Sequence, residues 1–435
     1  MAERIYILGG GFGGLYSAME LEHRLAGDRD IEVTLVNRDN FFLFTPMLHE
    51  VAASDLDLTT IVSPSRKGSR KVQLFAGEVD RIDLSNNRLT LSHGFNRHSH
   101  TFTYDRLILA LGSITNFYNL PGLAERALTM KSLGDAVALR NRLIAHLEEA
   151  DTDCARDHRE PLLTFVVAGG GFAGVETIAA VNDFLRQALP LYSNLNERML
   201  RLVLVHAGAA ILPELGPALG RYAQKKLAER GIEIVLNNRV AAVSEESVTL
   251  SDGTTIRSAT VIWTAGTSPN PILEDLPCAK DHGRVVVNDY LQLPEWPRVW
   301  AVGDCAVLVD RHTGRPYPPT AQHALRQGRV AAQNVVAAIR GRPAKRFSFR
   351  TLGQMAAIGQ RTGVADILGM RFSGFMAWWL WRTVYLSKLP GWDRKVRVAL
   401  QWTLDVLCLK DVTQYLPVHS PVVSRGDVED LRPAA

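Results

Sequence analysis

Gly9, Gly11 and Gly14 stand in the run RIYILGGGFGGLYSAMEL with G-x-G-x-x-G spacing. One glycine makes a tight turn, one lets a pyrophosphate reach the backbone, and one packs a helix against the preceding strand. The unpaired N–H groups at the helix start then face the phosphates. Phe12 and Gly13 complete this turn. The pattern recurs at Gly169, Gly171 and Gly174, in PLLTFVVAGGGFAGVETIAAV, so two bound dinucleotides are expected. A dinucleotide site usually has a carboxylate at the end of its second strand, accepting from a ribose hydroxyl. Here the first such position holds Asn37, followed by Arg38, and the second holds His206. An amide still accepts and donates there, while His206 reads equally as a surface imidazole at a strand end.

Other side chains near these turns have chemistry to offer. Glu176 lies two residues past the third glycine of the second turn, in the opening turns of its helix. The macrodipole favours a negative charge there, so a structural carboxylate fits as well as a functional one. Gln322, in YPPTAQHALRQGRVAAQNV, offers a donor and an acceptor to a ligand carbonyl or to the free backbone groups of a helix start. Asp304, in RVWAVGDCA, accepts hydrogen bonds from a polyol or caps a turn. Two apolar runs, YDRLILALGS and ATVIWTAGTSPN, stop at Gly112 and Gly266, as strands do where a backbone passes close to a ligand.

Positioning these groups requires strand–turn–helix units, and the apolar runs around both glycine turns predict an α/β fold with two Rossmann-like units. The 435 residues are enough for two or three domains with buried cores. Cys154, Cys278, Cys305 and Cys408 are far apart, which excludes a C-x-x-C redox pair, a zinc knuckle and a secreted disulfide framework. No metal site is expected. The chain passes from Met1 straight into a strand-like run, so a cytosolic start without a presequence is expected.

One segment looks foreign to a soluble enzyme. Five of the eight tryptophans lie between Trp378 and Trp402, and residues 371–410 hold seven basic residues against Asp393 and Asp405. Residues 374–389 read as a helix apolar on most sides, stopped by Pro390 and Gly391. Residues 392–409 read as a cleaner helix: Asp393, Arg397, Gln401 and Asp405 form a polar row, and Val396, Ala399, Leu400, Leu404 and Leu407 turn away from it. The first helix is expected between protein and lipid or between two subunits, and the second along a membrane interface. No uncharged apolar run approaches the roughly 20 residues of a spanning helix.

Together these motifs resemble the two-dinucleotide-binding flavoproteins. The stretch around Ala321 and Gln322, the segment FFLFTPMLHEVAA at residues 41–53, and the tryptophan-rich tail are similar to type II NADH dehydrogenases, the non-pumping NADH:quinone oxidoreductases. The resemblance implies FAD against Gly9, Gly11, Gly14 and Asn37, with Thr45 near its ring and Val79, Ala110, Gly112 and Asp304 along the rest. It implies NADH on Gly169, Gly171, Gly174 and Gly266, Glu176 near the stacked nicotinamide and flavin, and Gln322 facing the quinone. His206 leaves NADPH open as a second donor. An FAD domain over 1–115 and 268–345, an NAD(P)H domain over 116–267 and a membrane-binding region over 346–435 are expected. So are a homodimer, no nucleic-acid partner, and a peripheral position on the cytoplasmic face of the inner membrane. The competing readings are a soluble NAD(P)H-dependent flavin reductase with another acceptor and a nucleotide-sensing interaction protein.

Overall fold

A computed structural model describes residues 2–66, 71–407 and 410–415. The apolar strand β1 (Glu3–Leu8) turns at Gly9 into α1 (Phe12–Leu25), which buries Gly14, Ser17, Ala18, Leu21 and Leu25 along one face. Strand β2 (Ile31–Asn37) pairs parallel with β1, and Arg106–Leu109 and Trp296–Ala301 continue the parallel sheet on the other side. Parallel pairing puts the carboxyl ends of these strands on one edge, where Gly9, Ala110 and Gly303 meet. A short helix, α2 (Leu48–Ala52), follows and is buried along its whole length.

A second parallel sheet repeats the device, with β3 (Thr164–Ala168) fully buried, α3 (Phe172–Ala188) opening at Phe172, and β4 (Arg201–Val205) beside β3. Thr260–Trp263 and Leu128–Thr129 lie on one side of this pair, and Ile232–Val235 on the other. The chain leaves the first sheet along Ser113–Thr115 and returns along Thr267–Pro269, and these two segments pair antiparallel.

Helix α4 (Ala321–Ile339) crosses α1 where both are glycine. A Cβ on Gly328 would lie 2.2 Å from the Gly13 carbonyl, and Ser17 Oγ sits 2.9 Å and 3.0 Å from the carbonyls of Gly13 and Gly328. Gly13 is thus a packing glycine.

The rest of the chain builds a three-stranded antiparallel sheet from β5 (Gly353–Ala357), Gly363–Ile367 and Met370–Gly374. It carries α5 (Phe375–Lys388) and, after Pro390 and Gly391, α6 (Trp392–Leu407). The expected helix over 392–409 is helical as far as Leu407 among the described residues; residues 408 and 409, with Cys408, lie outside them, as do 416–435 of the expected C-terminal region. Trp392, Val396, Leu400 and Leu404, four residues apart, form an exposed apolar stripe along α6. The expected polar row does not simply face water. Gln401 accepts from the Asp57 backbone N–H at 3.1 Å and Asp405 accepts from Lys410 at 2.6 Å, so its second half is turned into the protein. No helix among the described residues is long and apolar enough to cross a membrane.

Candidate active site

Both glycine turns have the shape a dinucleotide requires. Gly9 and Gly169 adopt φ of +102° and +118°, and a Cβ on Gly14 or Gly174 would lie within 2 Å of the preceding turn's carbonyl. Gly11 and Gly171, by contrast, face open space: nothing lies within 4 Å of a Cβ built on either. Each turn is therefore closed by two glycines and held open at the third, which leaves the backbone there accessible to a ligand. Gly112 also faces open space at φ +64°, while a Cβ on Gly266 would strike the Tyr118 ring and the Asn116 carbonyl.

The two non-acidic ribose positions behave alike. Asn37 Oδ1 accepts from the Gly10 N–H at 2.8 Å, and His206 Nδ1 accepts from the Gly170 N–H at 3.0 Å. That bond fixes the His206 tautomer, leaving Nε2 as the N–H. Around the first turn, Phe12 packs edge-on against Phe42 and Phe44; Arg38 and Thr45 are exposed, Val79 is half-buried and Ala110 is buried. Asp304 Oδ2 accepts from Ser113 Oγ at 3.0 Å, and Lys131 Nζ donates to the same Ser113 oxygen. Nothing in the sequence marked Lys131.

Glu176 is held differently from what its place on a helix suggests. It is 8% exposed, and its Oε1 accepts from the Ala357 N–H of β5 at 3.1 Å and from Trp381 Nε1 of α5 at 2.9 Å. Burial pushes its carboxyl up to about 8 despite these two donors, with the charge of Glu50 adding to the rise. Desolvation, not the macrodipole, dominates its state and favours the protonated carboxyl. His49 Nδ1 lies 3.8 Å from Glu176 Oε2, with its edge toward the Trp381 ring. Desolvation holds that imidazole down to about 3, so the approach joins two neutral groups and is not an ion pair.

A second buried carboxyl, which sequence reasoning passed over, stands next to His49. Glu50 is 5% exposed and faces Trp402 Nε1 of α6 at 3.1 Å and 3.2 Å from its two oxygens. Desolvation lifts it to about 7, against the pull of Arg382, Trp402 and Lys410. The tryptophan segment thus splits: Trp379 and Trp392 face out, Trp381 and Trp402 each donate to a buried carboxyl, and Trp378 lies under the Arg382 guanidinium.

Gln322, at the start of α4, donates from Nε2 to the Gly353 carbonyl at 3.2 Å and accepts from the Leu352 N–H at 3.4 Å, clipping α4 to β5. Ala321 beside it is half-buried. Gln322 and Glu176 therefore meet the same strand, β5, at opposite ends. Among the described residues no group of His, Cys, Asp and Glu is arranged to hold a metal, and Cys154, Cys278 and Cys305 are free thiols.

Residues 3–328 match the family described as pyridine nucleotide-disulphide oxidoreductase, and residues 352–411 match the NDH2 C-terminal domain. The type II NADH:quinone oxidoreductase Ndh of Mycobacterium tuberculosis is 33% identical over 420 residues, covering 93% of this chain and 88% of that protein. Demethylphylloquinone reductase NdbB of Synechocystis is 32% identical over 92% of this chain and 95% of its own. In architecture the chain is similar to NDH2 of Plasmodium falciparum solved with NADH, at a TM-score of 0.88 over 95% of this chain and all of that one, with 18% identity. A flavoprotein scaffold whose buried carboxyls are closed by an NDH2-type C-terminal module, together with relatives this similar over nearly the full length, means that the chain belongs to the type II NADH:quinone oxidoreductases.

Proposed function

We propose that this protein oxidises NADH and reduces a membrane quinone, without pumping protons. The observation that carries the reading is the Glu176 pocket: a carboxyl on the first helix of the nucleotide-binding sheet is completed by a tryptophan from the C-terminal helices. In this reading the nucleotide and acceptor ends of the reaction share one buried group. FAD, when bound, accepts a hydride from the reduced nicotinamide and passes two electrons to the quinone.

The open cradle at Gly11 fits the FAD pyrophosphate and the one at Gly171 fits that of NADH. In this reading Gly9, Gly14, Asn37 and Arg38 shape the adenosine end, Thr45, Val79, Ala110, Gly112 and Ala321 border the ring and its chain, and Asp304 accepts from the polyol. Gly169, Gly174, His206 and Gly266 frame the nicotinamide nucleotide. Glu176 holds a proton beside the reacting rings, and Gln322 marks the acceptor side. His206 supplies no carboxylate to repel a 2′-phosphate, which leaves NADPH usable, but the stretch after it has no Arg to bind that phosphate before Arg221, so NADH is the preferred donor and NADPH a slower one.

The exposed stripe Trp392–Val396–Leu400–Leu404 and the basic residues around it support a protein lying on an anionic membrane surface, at the cytoplasmic face. The exposed Phe375, Met376 and Trp379 of α5 support a homodimer. Turnover with a short-chain ubiquinone or menaquinone, run with NADH and with NADPH, with and without anionic vesicles, tests the whole reading. Rapid NADH turnover that rises with lipid is expected. No quinone turnover would exclude it and favour a nucleotide-sensing role, and an NADPH preference would overturn the donor assignment.

A further inference from the structure

Oxidising one NADH and reducing one quinone to the quinol consumes a proton beyond the one carried by the hydride. That proton comes from solvent, yet Glu176 is buried beneath β5 and α5. Glu50, next to His49 on the buried helix α2, offers a way in. Glu50 faces Trp402 there. Beyond it lies Lys410, whose side chain is only 1% exposed and is bound by the carboxylates of Asp405 and Asp55. Asp55 is the most exposed member of this group, at 17%.

We propose that Glu50 is a proton-holding residue that acts through Glu176, refilling it from the solvent side across α2, where His49 stands. This rests on the assignment of Glu176 to the reacting site. When the Glu176 carboxyl gives up its proton toward the acceptor, the proton on Glu50 passes to it and leaves Glu50 ionised. Solvent then restores the Glu50 proton past Asp55, Lys410 and Asp405. No electron moves in this exchange, and each proton lost by one carboxyl is gained by the next group.

The surroundings suit a group that must hold and release a proton near neutrality. Arg382, from α5, stacks over the Trp402 ring at 4.6 Å with its Nε unpartnered, and it draws the Glu50 carboxyl down together with Lys410 and the Trp402 N–H. Burial and the charge of Asp405 push the other way. From α3 comes Glu176, whose charge is coupled to that of Glu50. The helix Leu133–Asp151 also packs on α2, but its buried Arg140 turns to Asp411 and Tyr415 and its buried His146 to Leu162 and Thr260. Burial also pulls the Lys410 ammonium down, to about 8, against the charge of Glu50.

The test uses the FAD-loaded full chain on vesicles, with Glu50→Gln, Glu50→Asp and Trp402→Phe. For Glu50→Gln the expected result is at least a tenfold fall in kcat with quinone, flavin reduction by NADH within twofold of wild type, and partial rescue by Glu50→Asp. In Trp402→Phe the lost indole N–H should move the alkaline limb of the kcat profile to higher pH. Adding Glu50→Gln to Glu176→Gln should cost nothing further. Wild-type kcat and pH profile in Glu50→Gln, or equal loss in both half-reactions together with lost FAD, would overturn the proposal. Absence of quinone turnover in the wild type would instead remove the underlying functional reading.

Discussion

At the scale of single residues, the two amides and two acids of the site are distinguished by what satisfies them. Gln322 has both ends of its amide engaged by backbone, so it can turn toward a ligand only by giving up bonds worth about 1 kcal/mol each. Gln322→Ala is expected to lower quinone turnover severalfold and leave flavin reduction by NADH unchanged in stopped flow; equal loss in both half-reactions would mean that only the clip to β5 matters. The glycine spacing was legible because its geometry is local to a turn, and Glu176 and Asp304 were singled out by their place beside such turns, although their partners Ala357, Trp381 and Ser113 lie far along the chain. Glu50 was not, since a carboxyl within LHEVA shows no sign of being buried until Trp402, far along the chain, covers it. Lys131 escaped for the same reason: its partner Ser113 belongs to another segment.

At the scale of elements, the tail has two faces with separate duties. Inward, Ala377, Trp381, Leu389, Val398 and Trp402 are buried. The two indoles alone hide roughly 300–500 Å² of largely apolar surface, about 8–12 kcal/mol gross at ~25 cal/mol per Å². Outward, Trp392 is 79% exposed and Leu400 59%. The paired substitutions Trp392→Asp and Leu400→Asp should therefore abolish sedimentation with anionic vesicles while shifting the Tm little, since each side chain gives up about 1.5–3 kcal/mol of lipid burial and almost no protein contact. Retained vesicle binding would show that the stripe is not the membrane face. Deleting everything after Arg371 is a poorer experiment, because it also uncovers Glu176 and Glu50. Periodicity revealed both helices and the break at Pro390 and Gly391; it could not show which tryptophans turn inward, because α5 is apolar on most sides and the choice is made by the carboxyls it meets.

For the molecule as a whole, the buried acids tie stability to pH. Glu50 and Glu176 are protonated in the fold up to about 7 and about 8, whereas an unfolded chain releases those protons above about 4.5. Their contribution is complete below that lower value and is lost as pH rises through the folded ones. Calorimetry from pH 5 to 9 should show Tm falling, and Glu50→Gln with Glu176→Gln should flatten the slope. An unchanged slope in the double variant would place the ionising groups elsewhere. The two Rossmann-like sheets were legible throughout, since each begins with an apolar run and a glycine turn. The antiparallel sheet that carries α5 was not, because its strands are only five residues long and GQMAA lacks strand alternation.

The indole clamps also set a clock. Trp381 lies 205 residues after Glu176, and Trp402 lies 352 after Glu50. At about 5–20 residues per second of synthesis, Glu50 waits roughly 20–70 s for its cover. By the end of that interval the strands of both nucleotide folds have been made, and until then neither carboxyl has its indole cover. Docking of the tail is then the last event of folding, and at neutral pH it draws protons from solvent as the two pockets close. Maturation of the enzyme would be visible as an uptake of acid.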